Sequence, residues 1–248
     1  MPLPFTDRLS LLVQREVGRL LGPIWIPAGA AVLRWGYGWR IADASAARRE
    51  YRRLRRESSA PLLVCANHLT MVDSFLIGVA LASPWRFVAC FAALPWNMPE
   101  RDNFSRTWWL RVATYVMKCI PVERGGDRQE IGRTFERFRY VLSRGEVGVI
   151  FPEGGRSRSG RVDTEASTYG AGRVVKALPG CRVLCVYLRG ETQTGFSGSP
   201  ARGERFRVRF ASVEPKSEHG GMRGSVEITQ QILARLAGLE TEWFDARQ

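Results

Sequence analysis

The chain has 248 residues, 45% hydrophobic and 25% charged, a globular composition that supports one large domain and excludes a disordered chain. Its formal net charge of +13 points to an anionic partner: nucleic acid, a phospholipid surface, or a phosphorylated or acidic carrier. No segment repeats and none is of low complexity, which excludes a solenoid.

The N-terminus lacks a basic stretch followed by an apolar core and a small-residue cleavage site, so no secretory signal peptide is expected. Leu20 to Leu33 (LLGPIWIPAGAAVL) is strongly apolar but spans only 14 residues and contains Pro23 and Pro27. A membrane-spanning helix needs about 20. Trp25, Trp35, Tyr37 and Trp39 cluster on and just after this run, with Arg34 and Arg40 beside them. Amphipathic rings next to guanidinium groups suit shallow insertion at a membrane interface. A helical hairpin packed on the main domain would carry the same pattern.

The following RREYRRLRR places Arg48, Arg49, Arg52, Arg53, Arg55 and Arg56 on one helix, too many like charges for a buried face. Beside a membrane element it reads as a polybasic contact with anionic lipid, each charge contributing on the order of 1 kcal/mol. A solvated helix face and nucleic-acid contact are the alternatives. Residues 1–58 are thus expected to form an N-terminal helical membrane-interface element, and residues 59–248 an α/β domain.

From residue 60 onward β-rich runs alternate with helical patterns. Strands are expected at Leu62–Ala66, Arg86–Ala92, Lys118–Val122, Val147–Phe151, Arg182–Leu188 and Arg205–Ala211. Helices are expected at Val72–Leu81, Phe104–Val116, Arg128–Leu142, Ala171–Leu178 and Ser225–Ala237. This alternation predicts an α/β fold with a mainly parallel central sheet and helices on both faces. Ligands of such sheets sit beyond the carboxyl ends of the strands. The five cysteines (Cys65, Cys90, Cys119, Cys181, Cys185) form no CxxC pair, and there are only two His, so no metal centre is expected. The cysteines read as buried reduced thiols of a cytosol-facing protein.

After the first of these strands comes NHLTMVD, with His68 at the strand end and Asp73 five residues on, in the first turn of the next helix. A carboxylate on one imidazole nitrogen fixes the tautomer and leaves the other nitrogen free to take a proton near neutral pH. A capping Asp beside a polar loop His is the bland alternative. After the Val147–Phe151 strand comes FPEGGRSRSG, where Glu153, Gly154, Arg156 and Ser157 offer close backbone approach, guanidinium forks and hydroxyl donors to a phosphate. IPVER at 120–124 places Arg124 at another strand end. No Gly-Lys-Ser/Thr closes a P-loop, Val175 stands at the third glycine position of a dinucleotide turn beginning at Gly170, and GFSGS at 195–199 is not a nucleophile elbow.

NHLTMVD (67–73), IPVER (120–124), FPEGGRS (151–157) and VLCVYLRG (183–190), in this order, resemble the four boxes of the glycerophospholipid (lysophosphatidic acid) acyltransferase family, and the resemblance spans roughly residues 60–215. It implies transfer of a fatty acyl group from an acyl thioester to a lysophospholipid hydroxyl, with 1-acyl-sn-glycerol-3-phosphate as acceptor and phosphatidic acid as product. His68 would be the general base and Asp73 its orienting partner. Arg124, Glu153, Gly154, Arg156 and Ser157 would bind the acceptor. No cofactor is implied beyond acyl-CoA or acyl carrier protein as co-substrate, and no nucleic acid. The expected setting is the cytoplasmic face of the inner membrane, held peripherally or monotopically on anionic phospholipid. Gly155, Cys185 and Thr168-Tyr169-Gly170 depart from the family's usual residues, which leaves a lyso-ornithine lipid or another lysolipid as an alternative acceptor. A catalytically silent lipid-surface binding protein is the alternative of another class.

Overall fold

The apolar run Leu62–Ala66 forms a strand, β2, in which every residue is buried. The computed structural model describes residues 3–104, 107–123, 125–165 and 168–247. Among these, β2 is a central strand of a six-stranded sheet with β1 (Arg40–Ala42), β3 (Trp96–Asn97), β4 (Val147–Ile150), β5 (Arg182–Gly190) and β6 (Arg205–Val213), in the order β1-β6-β5-β2-β4-β3. β2 is parallel to β4 and β5, and β3 to β4, whereas β6 is antiparallel to β5 and parallel to β1. The carboxyl ends of β2, β4 and β5 therefore share one edge of the sheet.

Side-chain alternation assigns the two faces. Leu63, Cys65, Val183 and Cys185 share a core with α7 (Arg128–Ser143), α8 (Gly170–Ala177) and α9 (Gly221–Asp245). Leu62, Val64, Leu184 and Val186 share the other with α2 (Ala44–Glu57), α3 (Asp73–Leu81) and α4 (Pro84–Ala89). At Gly148 in β4 a Cβ would stand 2.4 Å from the Phe138 ring, so glycine is what lets α7 close on the sheet. The mainly parallel α/β sheet with helices on both faces is as expected.

The apolar Leu20 to Leu33 run is the second half of one long helix, α1 (Phe5–Ala31), which closes in a π-helical turn (Val32–Gly36). Leu11, Gln14, Gly18, Gly22 and Ile26 are buried, and Gly18 lies against the carbonyl of Val116 in α6 (Trp108–Val116). Leu20, Leu21 and Ile24 remain exposed. No helix among the described residues is long and apolar enough to cross a membrane. The RREYRRLRR run lies on α2, which buries Ala47, Tyr51 and Leu54, while Arg53 pairs with Glu50 and Glu57 on its exposed side. One side of that helix is thus a core face after all.

Other expectations fail locally. Arg86–Ala92 is helical: Ser83 Oγ accepts the Arg86 N–H at 3.3 Å and Pro84 opens α4, followed by a 3-10 turn at Phe91–Ala93. Lys118–Val122 forms only isolated parallel bridges, Asn97 with Cys119 and Glu100 with Val122. Lys118 takes φ +59° and turns its fully buried ammonium to Glu146, and Pro121 has no N–H to give a ladder. Burial draws this ammonium down to about 8. Glu146 also accepts from Trp96 Nε1 at 3.1 Å and from Arg15 Nε at 2.7 Å, which fastens α1 to the β3 edge. The helix expected at Phe104–Val116 is divided into α5 (Arg101–Phe104) and α6, and the last helix is longer than expected at both ends. The cysteines are free, with Cys65, Cys181 and Cys185 buried.

Candidate active site

β2 delivers Asn67 and His68 to the carboxyl edge of the sheet. Asn67 clamps the strand end to β5, its Nδ2 donating to Leu188 O at 3.0 Å and its Oδ1 accepting from Leu188 N at 2.8 Å. The chain then turns back so that the first residue of α3, Asp73, faces the imidazole. His68 Nδ1 is 3.0 Å from Asp73 Oδ2. The same carboxylate accepts the Leu69 and Thr70 N–H groups at 2.6 and 2.7 Å and the Thr70 hydroxyl. An acid at a helix start is also favoured by the exposed N–H groups there. With the carboxylate ionised, Nδ1 carries the proton and donates, so Nε2 presents its lone pair, with no partner among the described residues. The Phe151 ring stacks on the imidazole, centroids 4.1 Å apart at 17°.

β4 delivers the second loop. Glu153 is buried, and its carboxylate accepts the His68 N–H and the Asp163 N–H, both at 3.2 Å. Burial raises this acid to about 7, partly opposed by those two bonds. Gly154 takes φ +72°, and a Cβ there would stand 2.9 Å from Thr168 Cγ2. Ser157 N donates to His68 O at 2.8 Å, and its hydroxyl is spent on the Arg161 carbonyl. Ser157 therefore fastens the two loops together. Arg156 is exposed, with Nη1 3.3 Å from Ser197 O and its guanidinium over the Phe196 ring. A polar cleft of about 540 Å³ lies along this loop, lined by Glu153, Arg156, Ser157, Arg158 and Asp163. His68, Asp73, Glu153, Gly154, Arg156 and Ser157 thus converge on one sheet edge, while Arg124 lies outside the described residues.

Sequence reading missed three contributors. Asn67 stood in the motif without an assigned role, and Thr70 was hidden among the spacers between His68 and Asp73. Arg189, near the end of β5, is buried, and its guanidinium donates to Gly160 O at 2.6 Å, to Gln193 O at 2.9 and 3.0 Å, and to Thr194 O at 3.0 Å. It ties the loop after β4 to the β5–β6 loop, which in turn reaches the His68 loop through Ser197 N to Leu69 O at 2.9 Å. A charged residue closing the apolar run VLCVYLRG was the only signal.

A His–carboxylate pair with a free Nε2 can remove a proton from a hydroxyl, and the adjacent cleft presents the guanidinium groups of Arg156 and Arg158 beside the carboxylates of Glu153 and Asp163. No curated protein matches the chain. The sequence model of the family described as Acyltransferase matches residues 47–189, from α2 through His68, Asp73 and the Glu153 loop to Arg189. That match covers more than half of the chain and contains every described residue of the converging site, and so the chain belongs to the acyltransferase family.

Proposed function

We propose that the chain transfers a fatty acyl group from acyl-CoA or acyl carrier protein to the hydroxyl of a lysophospholipid, with 1-acyl-sn-glycerol-3-phosphate as acceptor and phosphatidic acid as product. The observation that supports it is the 3.0 Å contact of His68 Nδ1 with Asp73, which leaves Nε2 to accept a proton. Nε2 takes the acceptor's hydroxyl proton as the oxygen attacks the thioester carbonyl. Collapse of the tetrahedral intermediate expels the thiolate, which takes the proton back from the imidazolium. An alkyl hydroxyl is a poor nucleophile while a thioester is already activated, so one positioned base suffices and no acyl-enzyme is needed.

Arg156 and the Gly154 backbone would hold the acceptor's phosphate, with Arg124 as a third contact. The exposed Leu20, Leu21, Ile24 and Trp35 would seat the chain on anionic phospholipid at the cytoplasmic face of the inner membrane, peripherally or monotopically. Mass spectrometry of products from the purified chain, offered acyl-CoA or acyl carrier protein and a panel of lysolipids, tests this. Phosphatidic acid is the expected main product. A preference for lyso-ornithine lipid would replace the acceptor, and no acylated product from any lysolipid would favour a silent lipid-binding protein.

A further inference from the structure

A cavity of about 970 Å³ opens between the end of α1, β1, α3 and α4. Leu33, Ile41, Leu76 and Val79 give it apolar walls, and Arg34, Arg40, Arg48 and Arg205 bring four guanidinium groups, with no acidic residue among the described lining residues. Arg48 Nη2 donates to Val79 O at 2.7 Å, but its Nε is buried and finds no partner among the described residues. Arg205 Nε stands 3.8 Å from Glu191, too far for a hydrogen bond. Arg34, Arg40 and Arg205 are exposed and solvated, whereas the buried Arg48 Nε is a donor that calls for an acceptor from elsewhere. Trp35 and Trp85, 81% and 67% exposed, line the same cavity, and such rings favour headgroup depth in a bilayer.

The geometry points to a site for one anionic phospholipid drawn from the bilayer, its phosphate among Arg40, Arg48 and Arg205 and an acyl chain along Leu33, Leu76 and Val79. Apolar walls with an arginine cluster fit an amphiphile, whereas a soluble phosphate or a nucleic acid would leave the walls unused. This lipid is bound and not turned over, because neither His68 nor the Glu153–Ser157 loop is among the residues that line the cavity. The site rests on the membrane-surface reading above. Leu76 lies one turn beyond Asp73 in α3, so an occupied site would also brace the helix that carries the catalytic carboxylate.

Native mass spectrometry of the full chain carrying His68→Ala, released from micelles doped with phosphatidylglycerol or phosphatidylcholine, tests it without turnover. The expected result is one retained phosphatidylglycerol per chain, at least tenfold over phosphatidylcholine, and loss of that preference in Arg40→Met/Arg48→Met. Because Arg48 also holds α3, Arg34→Met/Arg40→Met, with both side chains exposed, serves as a fold-neutral second variant and should weaken retention several-fold. Arg156→Met should leave retention unchanged. Equal retention of the two lipids, or unchanged retention in both double variants, overturns the site. Co-sedimentation with anionic vesicles reads the membrane-surface proposal separately: vesicle binding without selective lipid retention would overturn the site and leave that proposal standing, and no vesicle binding would overturn both.

Discussion

Asp73 Oδ2 lies 3.0 Å from His68 Nδ1 and simultaneously accepts the N–H groups of Leu69 and Thr70 at 2.6 and 2.7 Å. One carboxylate therefore shapes the loop after β2 and fixes the imidazole that the loop presents. Asp73→Asn separates the two tasks, since an amide oxygen can still accept from the loop but carries no charge to stabilise an imidazolium. The expected outcome is a fall in kcat on the order of 10²-fold or more. Circular dichroism should show a fold like that of the unsubstituted chain.

Glu153 gives the site a pH signature. Its carboxyl is raised from 4.5 to about 7 by burial, so between these values the folded chain holds a proton that the unfolded chain has released. The stability gained from that proton is full below about 4.5 and is lost as pH rises through 7, on the order of 3 kcal/mol in total. Denaturant titrations across pH 5 to 8 should show this decline. In Glu153→Gln the same window should be flatter.

Gly154→Ala should destabilise the chain by about 1–2 kcal/mol, because φ +72° strains any L side chain. The added Cβ would also meet Thr168 Cγ2 at 2.9 Å. Adding Thr168→Ser removes that methyl and should restore part of the loss, leaving the backbone strain. Thermal unfolding of the single and double variants measures both components.

Arg189 acts through the loops it ties. Arg189→Lys keeps the buried charge near Glu240 but loses the fork that reaches Gly160, Gln193 and Thr194 together. A charge-assisted hydrogen bond is worth about 1.5–3 kcal/mol. Losing one or two should loosen the Arg156 rim and raise KM for the acceptor roughly tenfold or more, with kcat changed less. An equal fall in kcat at unchanged KM would place Arg189 outside acceptor positioning.

The exposed face of α1 can be tested apart from the chemistry. Ile24 is 72% exposed, so Ile24→Asp removes no core contact. Sedimentation with anionic vesicles should fall on the order of tenfold, since a buried Ile side chain contributes about 1.5–3 kcal/mol and a charge repels the surface. Acyl transfer to a detergent-solubilised acceptor should be retained.

The sheet was legible in the sequence wherever a strand was long and apolar: Leu62–Ala66 lies within one face-to-face core on each side and could not have been hidden. Arg40–Ala42 and Trp96–Asn97 are too short to carry a periodicity, so the sheet's two edge strands had no signal. Phe87, Val88 and Phe91 made Arg86–Ala92 look like a strand, although Ser83-Pro84 just before it is a helix start with a physical mechanism. The candidate pair His68 and Asp73 was legible because the motif spacing matches a strand followed by a helix start. Their mutual bonding was not, since Glu153 to His68 and Arg189 to Gly160 join loops that only the tertiary fold brings together.

The most direct measurement is the rate of acyl transfer from an acyl thioester to 1-acyl-sn-glycerol-3-phosphate by the purified chain and by His68→Ala. Loss of the general base should lower kcat by about 10²–10⁴-fold with the fold intact. Full activity in His68→Ala would contradict the assignment of His68 Nε2 as the proton acceptor.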